Sequence, residues 1–188
     1  MAPARTSENT GPGFVLWLMG PTSSGKTTIG EHLLERFRAN GSPCMHFDGD
    51  EVRNFLGEGL GFETSDRQRV VATLVHLANK TSVAGVNVIV SALTASADAR
   101  RLVLDTVQNL IVVYIKCSME TCAGRDPKGL YAQAKNGKID TLIGVNSDYL
   151  PPENPDLVIN TEDLSPAEAV DAIINHLYQT GWEESKRG

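Results

Sequence analysis

Apolar residues in this chain come as short unbroken runs, separated by stretches with helical periodicity. FVLWLM (14–19), PCMHF (43–47), VNVIVSA (86–92), LIVVYIK (110–116) and DLVIN (156–160) read as strands. None shows the in–out alternation of a strand with one wet face, so the runs predict a sheet covered on both sides. Between them, residues 26–39, 65–84, 97–108 and 119–136 read as helices, the last one broken. A final helix starts at Ser165, where SPAE supplies an N-cap serine, a proline in the first turn and a glutamate three residues after the cap. Behind it Val170, Ile173, Ile174 and Leu177 share one face. Strand–helix alternation predicts an α/β fold with a parallel sheet between two helical layers. No repeat, low-complexity tract or linker interrupts it. One domain is expected over 14–180, between polar tails at 1–13 and 181–188.

The first predicted strand runs straight into GPTSSGKTT. Gly20, Gly25, Lys26 and Thr27 fit G-x-x-x-x-G-K-[ST] without a gap, with Pro21, Thr22, Ser23 and Ser24 between and Thr28 after. Glycines let backbone N–H groups turn inward around phosphate oxygens, and the helix that follows adds its positive end. Lys26 would reach the outer phosphates, and the Thr27 hydroxyl would ligate Mg²⁺. The loop is therefore expected to hold a nucleoside triphosphate.

Binding does not specify chemistry. A GTPase switch needs N-K-x-D and a strand-end D-x-x-G. NKTS (79–82) ends in Ser82 inside a predicted helix, and DPKG (126–129) follows a helical turn. GEGLG (57–61) lacks the strand a dinucleotide fingerprint requires. After the second strand, however, Asp48 and Asp50 emerge at the edge where α/β sheets place ligands. Two carboxylates around Gly49 can face a metal-bound phosphate and an incoming hydroxyl. Asp50 could equally cap a helix over EVRNFL. Arg53 and Arg67, flanking Phe62, add positive charge that suggests a second anionic ligand.

Composition narrows this further. The 188 residues carry a net charge of −6, which argues against a nucleic-acid or anionic-membrane surface. No run approaches membrane-spanning length, and the first residues lack the apolar core of a signal peptide. Cys44, Cys117 and Cys122 are odd in number and lack metal-ligand spacing, so they read as buried free thiols in a reducing cytoplasm.

Taken together, these segments resemble the adenylylsulfate (APS) kinases, P-loop enzymes that phosphorylate the ribose 3′-hydroxyl of adenosine 5′-phosphosulfate. GPTSSGKTT resembles the family's phosphate loop, DGDEVRNFL its D-G-D-x-[VI]-R segment and LGFETSDR its L-G-F-[ST]-x-x-D-R segment. RDPKGLYAQAKNGKID and PPENPDLVINT resemble the lid and the element after it. The resemblance implies a P-loop fold with a five-stranded parallel sheet and a helical lid over about 125–148. It further implies that ATP and Mg²⁺ are used, that APS is the acceptor in sulfate assimilation, and that the protein is a homodimer. By position, Gly20 through Thr28 would bind ATP phosphates, with Thr27 and Asp48 at the metal. Asp50 would orient or deprotonate the acceptor hydroxyl, and Arg53, Phe62 and Arg67 would hold the acceptor. Arg125 and Lys128 would close over the nucleotides.

The acceptor half departs from the family. Val70, Ala72 and Thr73 stand where an asparagine and two arginines are expected, ALTASA (92–97) replaces F-I-S-P-Y-R, and LIGV (142–145) replaces F-T-G-[IV]. The aromatic pair that sandwiches adenine is thus Ala92 and Leu142 here, beside Leu93, and the family's phosphorylatable serine is Thr94. Base–aromatic stacking is worth about 1–3 kcal/mol per contact, so losing two would weaken an unchanged pose roughly a hundredfold. APS held in a different pose or by compensating residues, another nucleotide-like acceptor such as cytidine diphosphoramidate, and a nucleotide-binding regulatory or switch protein without transfer are the readings this leaves.

Overall fold

The computed structural model describes residues 11–57, 60 and 63–181. Five strands, β1 (Val15–Met19), β2 (Cys44–Asp48), β3 (Asn87–Ala92), β4 (Leu110–Lys116) and β5 (Leu157–Asn160), pair in parallel in the order β2-β3-β1-β4-β5. Helices α1 (Lys26–Ala39), α2 (Gly49–Leu56), α3 (Thr64–Val83), α4 (Ala97–Thr106), α5 (Met119–Arg125), α6 (Leu130–Lys135) and α7 (Pro166–Gln179) cover the sheet and its carboxyl edge.

The continuous apolarity of β1 has a direct cause. Val15, Trp17 and Met19 enter a core with α3 and α4, while Leu16 and Leu18 enter a second core with α1 and α7. A strand between two helical layers has no face left for polar residues. The edge strands are only partly covered, and Met45 of β2 and Val158 of β5 are 46% and 49% exposed.

Local chemistry sets the helix ends. Ser165 and Glu168 form the capping box at α7, with Pro166 in the first turn. At α2 the cap is Asp48, not Asp50: the Asp48 carboxylate accepts the Asp50 N–H at 2.8 Å. This frees the Asp50 side chain. The helix expected over 119–136 breaks at 126–129, where Gly129 adopts φ 66° and Asp126 accepts the Ala132 N–H at 3.0 Å. Of the expected tails, Gly13 donates its N–H to Ser82 O at 2.9 Å, while residues 1–10 and 182–188 lie outside the described residues. No helix among the described residues is long and apolar enough to cross a membrane.

Register brings the strand ends level. Met19 pairs with Ala92 and Tyr114, and Asp48 with Ser91, so the loops after β1, β2 and β3 leave one edge together.

Candidate functional site

Those loops and the 125–148 segment enclose a cavity of about 880 Å³, within the range of small-molecule sites. The phosphate loop forms one wall. Ser23 and Gly25 have φ 63° and 101°, turning the chain so that α1 begins at Lys26 with its N-terminus toward the cavity. A Cβ on Gly20 would lie 2.5 Å from the Ile115 carbonyl oxygen and 2.8 Å from Ser24 Oγ. Gly20→Ala is therefore expected to cost about 1–3 kcal/mol in urea unfolding.

Lys26 donates to Pro21 O at 2.6 Å and to Ser24 Oγ at 3.5 Å. Burial pushes its ammonium down to about 8, against the upward pull of Asp50 and Asp48. The Thr27 hydroxyl donates to Asp48 Oδ2 at 2.7 Å, so Asp48 both caps α2 and meets α1. The Asp50 side chain takes no part in that cap, and its Oδ2 accepts the Lys128 ammonium at 2.5 Å.

The other wall comes from α2, α3 and the loop after β3. Arg53 and Arg67 line it, and Arg67 Nη2 donates to Thr141 O at 2.5 Å. Burial lowers the Arg67 guanidinium from its ordinary value, and neighbouring Arg53 adds to that. Ala92, Leu93 and Leu142 all line the cavity, with Ala92 and Leu142 nearly buried. Among the described residues no aromatic side chain lines it. Phe62 lies outside the described residues. Thr94 is 2% exposed at φ 43°, and its hydroxyl accepts the Trp17 indole N–H at 3.0 Å, so it is no surface acceptor for a phosphoryl group.

Two contributors went unassigned from sequence. The Tyr131 hydroxyl donates to Thr22 O at 3.0 Å and ties α6 to the phosphate loop. Thr161 donates to Ser24 O at 3.0 Å, and its own carbonyl accepts Arg125 Nη2 at 2.7 Å. Both lie inside segments that carry the resemblance, RDPKGLY and VINT, which was the signal for them. Cys117 and Cys122 are buried free thiols, as expected, whereas Cys44 is only half-buried.

No cluster of three or more His, Cys, Asp or Glu among the described residues could hold a metal by itself. The hydroxyl and carboxylate of Thr27 and Asp48 instead fit Mg²⁺, which takes one or two protein oxygens beside phosphates and water.

Comparison with known proteins gives the family and the fold. The sequence model of the adenylylsulphate kinase family matches residues 12–160. An adenylyl-sulfate kinase of Deinococcus deserti is 36% identical over 170 residues, covering 90% of this chain and 94% of its own. The Mycobacterium tuberculosis APS kinase CysC in complex with AMPPNP and APS superposes with a TM-score of 0.83 at 31% identity, covering 89% of this chain and 99% of its own. A shikimate kinase of Aquifex aeolicus, at 19% identity and a TM-score of 0.53, shares the fold. By sequence and by structure, this chain belongs to the adenylylsulphate kinase family of phosphotransferases.

Proposed function

We propose that this protein transfers the γ-phosphoryl group of ATP to the ribose 3′-hydroxyl of adenosine 5′-phosphosulfate. The observation that carries the reading is that one cavity holds the phosphate-loop lysine and Asp50 within electrostatic reach of each other. The loop from Gly20 to Thr28 would cradle the triphosphate, with Lys26 facing the transferring group. Thr27 and Asp48 would hold Mg²⁺, which when bound neutralises charge on the β- and γ-oxygens. Asp50 would take the proton of the acceptor hydroxyl as its oxygen bonds to the γ-phosphorus and ADP departs. Arg53, Arg67 and Phe62 would hold the acceptor's anionic end and base. Arg125 and Lys128, on the segment covering the site, would exclude water that competes with the hydroxyl. The family resemblance further supports a cytoplasmic homodimer acting in sulfate assimilation.

A second acceptor is favoured by one observation: the wall formed by Ala92, Leu93 and Leu142 offers aliphatic surface and no ring for a base to stack on. A smaller pyrimidine nucleotide would tolerate that wall. ADP release with ATP–Mg²⁺ against APS, cytidine diphosphate derivatives and simple nucleotides separates the readings. Release driven by APS supports the proposal, and release driven only by a cytidine compound moves the acceptor. Nucleotide binding without acceptor-dependent release overturns transfer. Ala92→Phe with Leu142→Phe should then raise APS affinity by about a hundredfold, two stacking contacts being restored.

A further inference from the structure

β2 presents two side chains in succession to the first turn of α1. Residues two apart on a strand share a face, and on this one Asp48 accepts the Thr27 hydroxyl while His46 reaches the residue before it by a relay. His46 Nε2 lies 2.8 Å from Ser91 Oγ, and Ser91 Oγ donates to the Lys26 carbonyl at 3.1 Å. A serine hydroxyl has one proton. If Ser91 gives it to Lys26, the proton between His46 and Ser91 must come from His46 Nε2.

The packing around the relay is built for this close approach. A Cβ on Gly30, one turn into α1, would come 2.5 Å from His46 Nε2 and 2.8 Å from Ser91 Oγ. Glycine at that position lets the helix settle onto the imidazole. Ser91 is 2% exposed and lies in β3 beside Asp48 in register. The relay therefore joins two strands to the backbone of the phosphate-loop lysine.

We propose that His46, through Ser91, is a positioning residue for Lys26: it fixes the main chain of the phosphate-loop lysine against the sheet and holds its ammonium at the nucleotide. The proposal rests on the phosphate-loop reading of the site. His46 does not line the cavity, whereas Ser91, between it and Lys26, does. A lysine in the first turn of a helix places its charge less well when that turn can shift against the sheet, and positioning is most of what a protein supplies to phosphoryl transfer.

The test combines nucleotide affinity with an observation on the wild-type protein that needs no substrate. Nitrogen-15 NMR of the imidazole should show the proton on Nε2; an Nε2 without a proton overturns the relay. Calorimetry with AMPPNP–Mg²⁺ should give about three- to tenfold weaker binding for His46→Leu and for Ser91→Ala, the scale of one lost net hydrogen bond. The double variant should be no weaker than either single one, because the relay acts as a unit. His46→Gln, whose amide N–H reaches the same place, should return affinity to within about twofold of wild type, while acceptor KM stays unchanged throughout. Additive losses, no rescue by glutamine, or a shift confined to acceptor KM would overturn the proposal. If wild-type protein binds no AMPPNP, the phosphate-loop reading fails, and the proposal fails with it whatever the tautomer.

Discussion

Asp50→Asn is expected to lower acceptor-dependent ADP release by about 10²–10⁴-fold, while AMPPNP–Mg²⁺ affinity stays within about threefold of wild type. The amide keeps the shape of the carboxylate but cannot accept the hydroxyl proton, so the loss should fall on kcat. Nucleotide affinity should hold because the phosphate loop is built on β1 and α1, while Asp50 sits in the first turn of α2. Stability should hardly change. The Asp50–Lys128 pair that the substitution breaks is exposed on both sides, 57% and 53%, and such pairs are worth about 0–1 kcal/mol. Asp48, not Asp50, caps α2, so the helix keeps its start. A coupled assay for ADP and a urea unfolding curve check both halves. Wild-type turnover in the variant removes Asp50 from its assigned role. A loss of stability beyond about 1 kcal/mol would mean that the carboxylate holds structure beyond its exposed pair with Lys128.

Much of the fold was legible because the strongest sequence signals are local or periodic. The run 110–116 is a strand with those bounds, and 26–39 is a helix with those bounds. Ser165, Pro166 and Glu168 sit within one turn and act through a single cap, so the start of α7 could be read directly. The two ends of the α2 cap are also close in sequence, yet the cap is Asp48 and not Asp50, the alternative the sequence left open. The sequence offers two carboxylates two residues apart, and only the backbone decides which is extended. Asp48 has φ −97° and ψ 134°, the conformation of a cap, while Asp50 is already helical.

What the sequence left unassigned is long-range. Tyr131 meets Thr22 across 109 positions, and Thr161 meets Ser24 across 137. Nothing in either residue's own neighbourhood demands a partner. His46 lies inside a strand run where it reads as an ordinary half-buried residue, and only register with Ser91, 45 positions on, gives it a bond. Conversely, Gly20, Gly25, Lys26 and Thr27 were visible because backbone geometry around a phosphate demands those residue types at fixed spacing. The edge strands were misread for a similar reason. Apolarity along β2 and β5 reports what a strand can tolerate, and strand order decides how much of it is covered.

The second large effect is expected at Lys26, where activity and stability should move in opposite directions. Lys26→Met should reduce turnover by about 10²–10³-fold, the cost of removing one preorganised group that stabilises charge on the transferring oxygens. The same substitution should stabilise the ligand-free protein. Burial lowers the Lys26 ammonium from 10.5 to about 8, so folding itself disfavours the charged form. Between those two values the unfolded chain holds the proton and the folded chain does not. Stability therefore rises with pH across that window, and the penalty is fully present below about 8. For a wholly dry ammonium a shift of that size would be worth about 3 kcal/mol. Lys26 is only half-buried, and solvent screening brings the expected gain in the methionine variant to about 1–2 kcal/mol at neutral pH. Urea unfolding at several pH values should show the wild-type rise flattened in the variant. Nucleotide binding carries the opposite sign, because phosphates favour the ammonium. Wild-type AMPPNP affinity should fall as pH rises through about 8, and Lys26→Met should lose that dependence. Equal stability of the two proteins with an unchanged pH profile would show that Lys26 is solvated, and that burial does not penalise its ammonium.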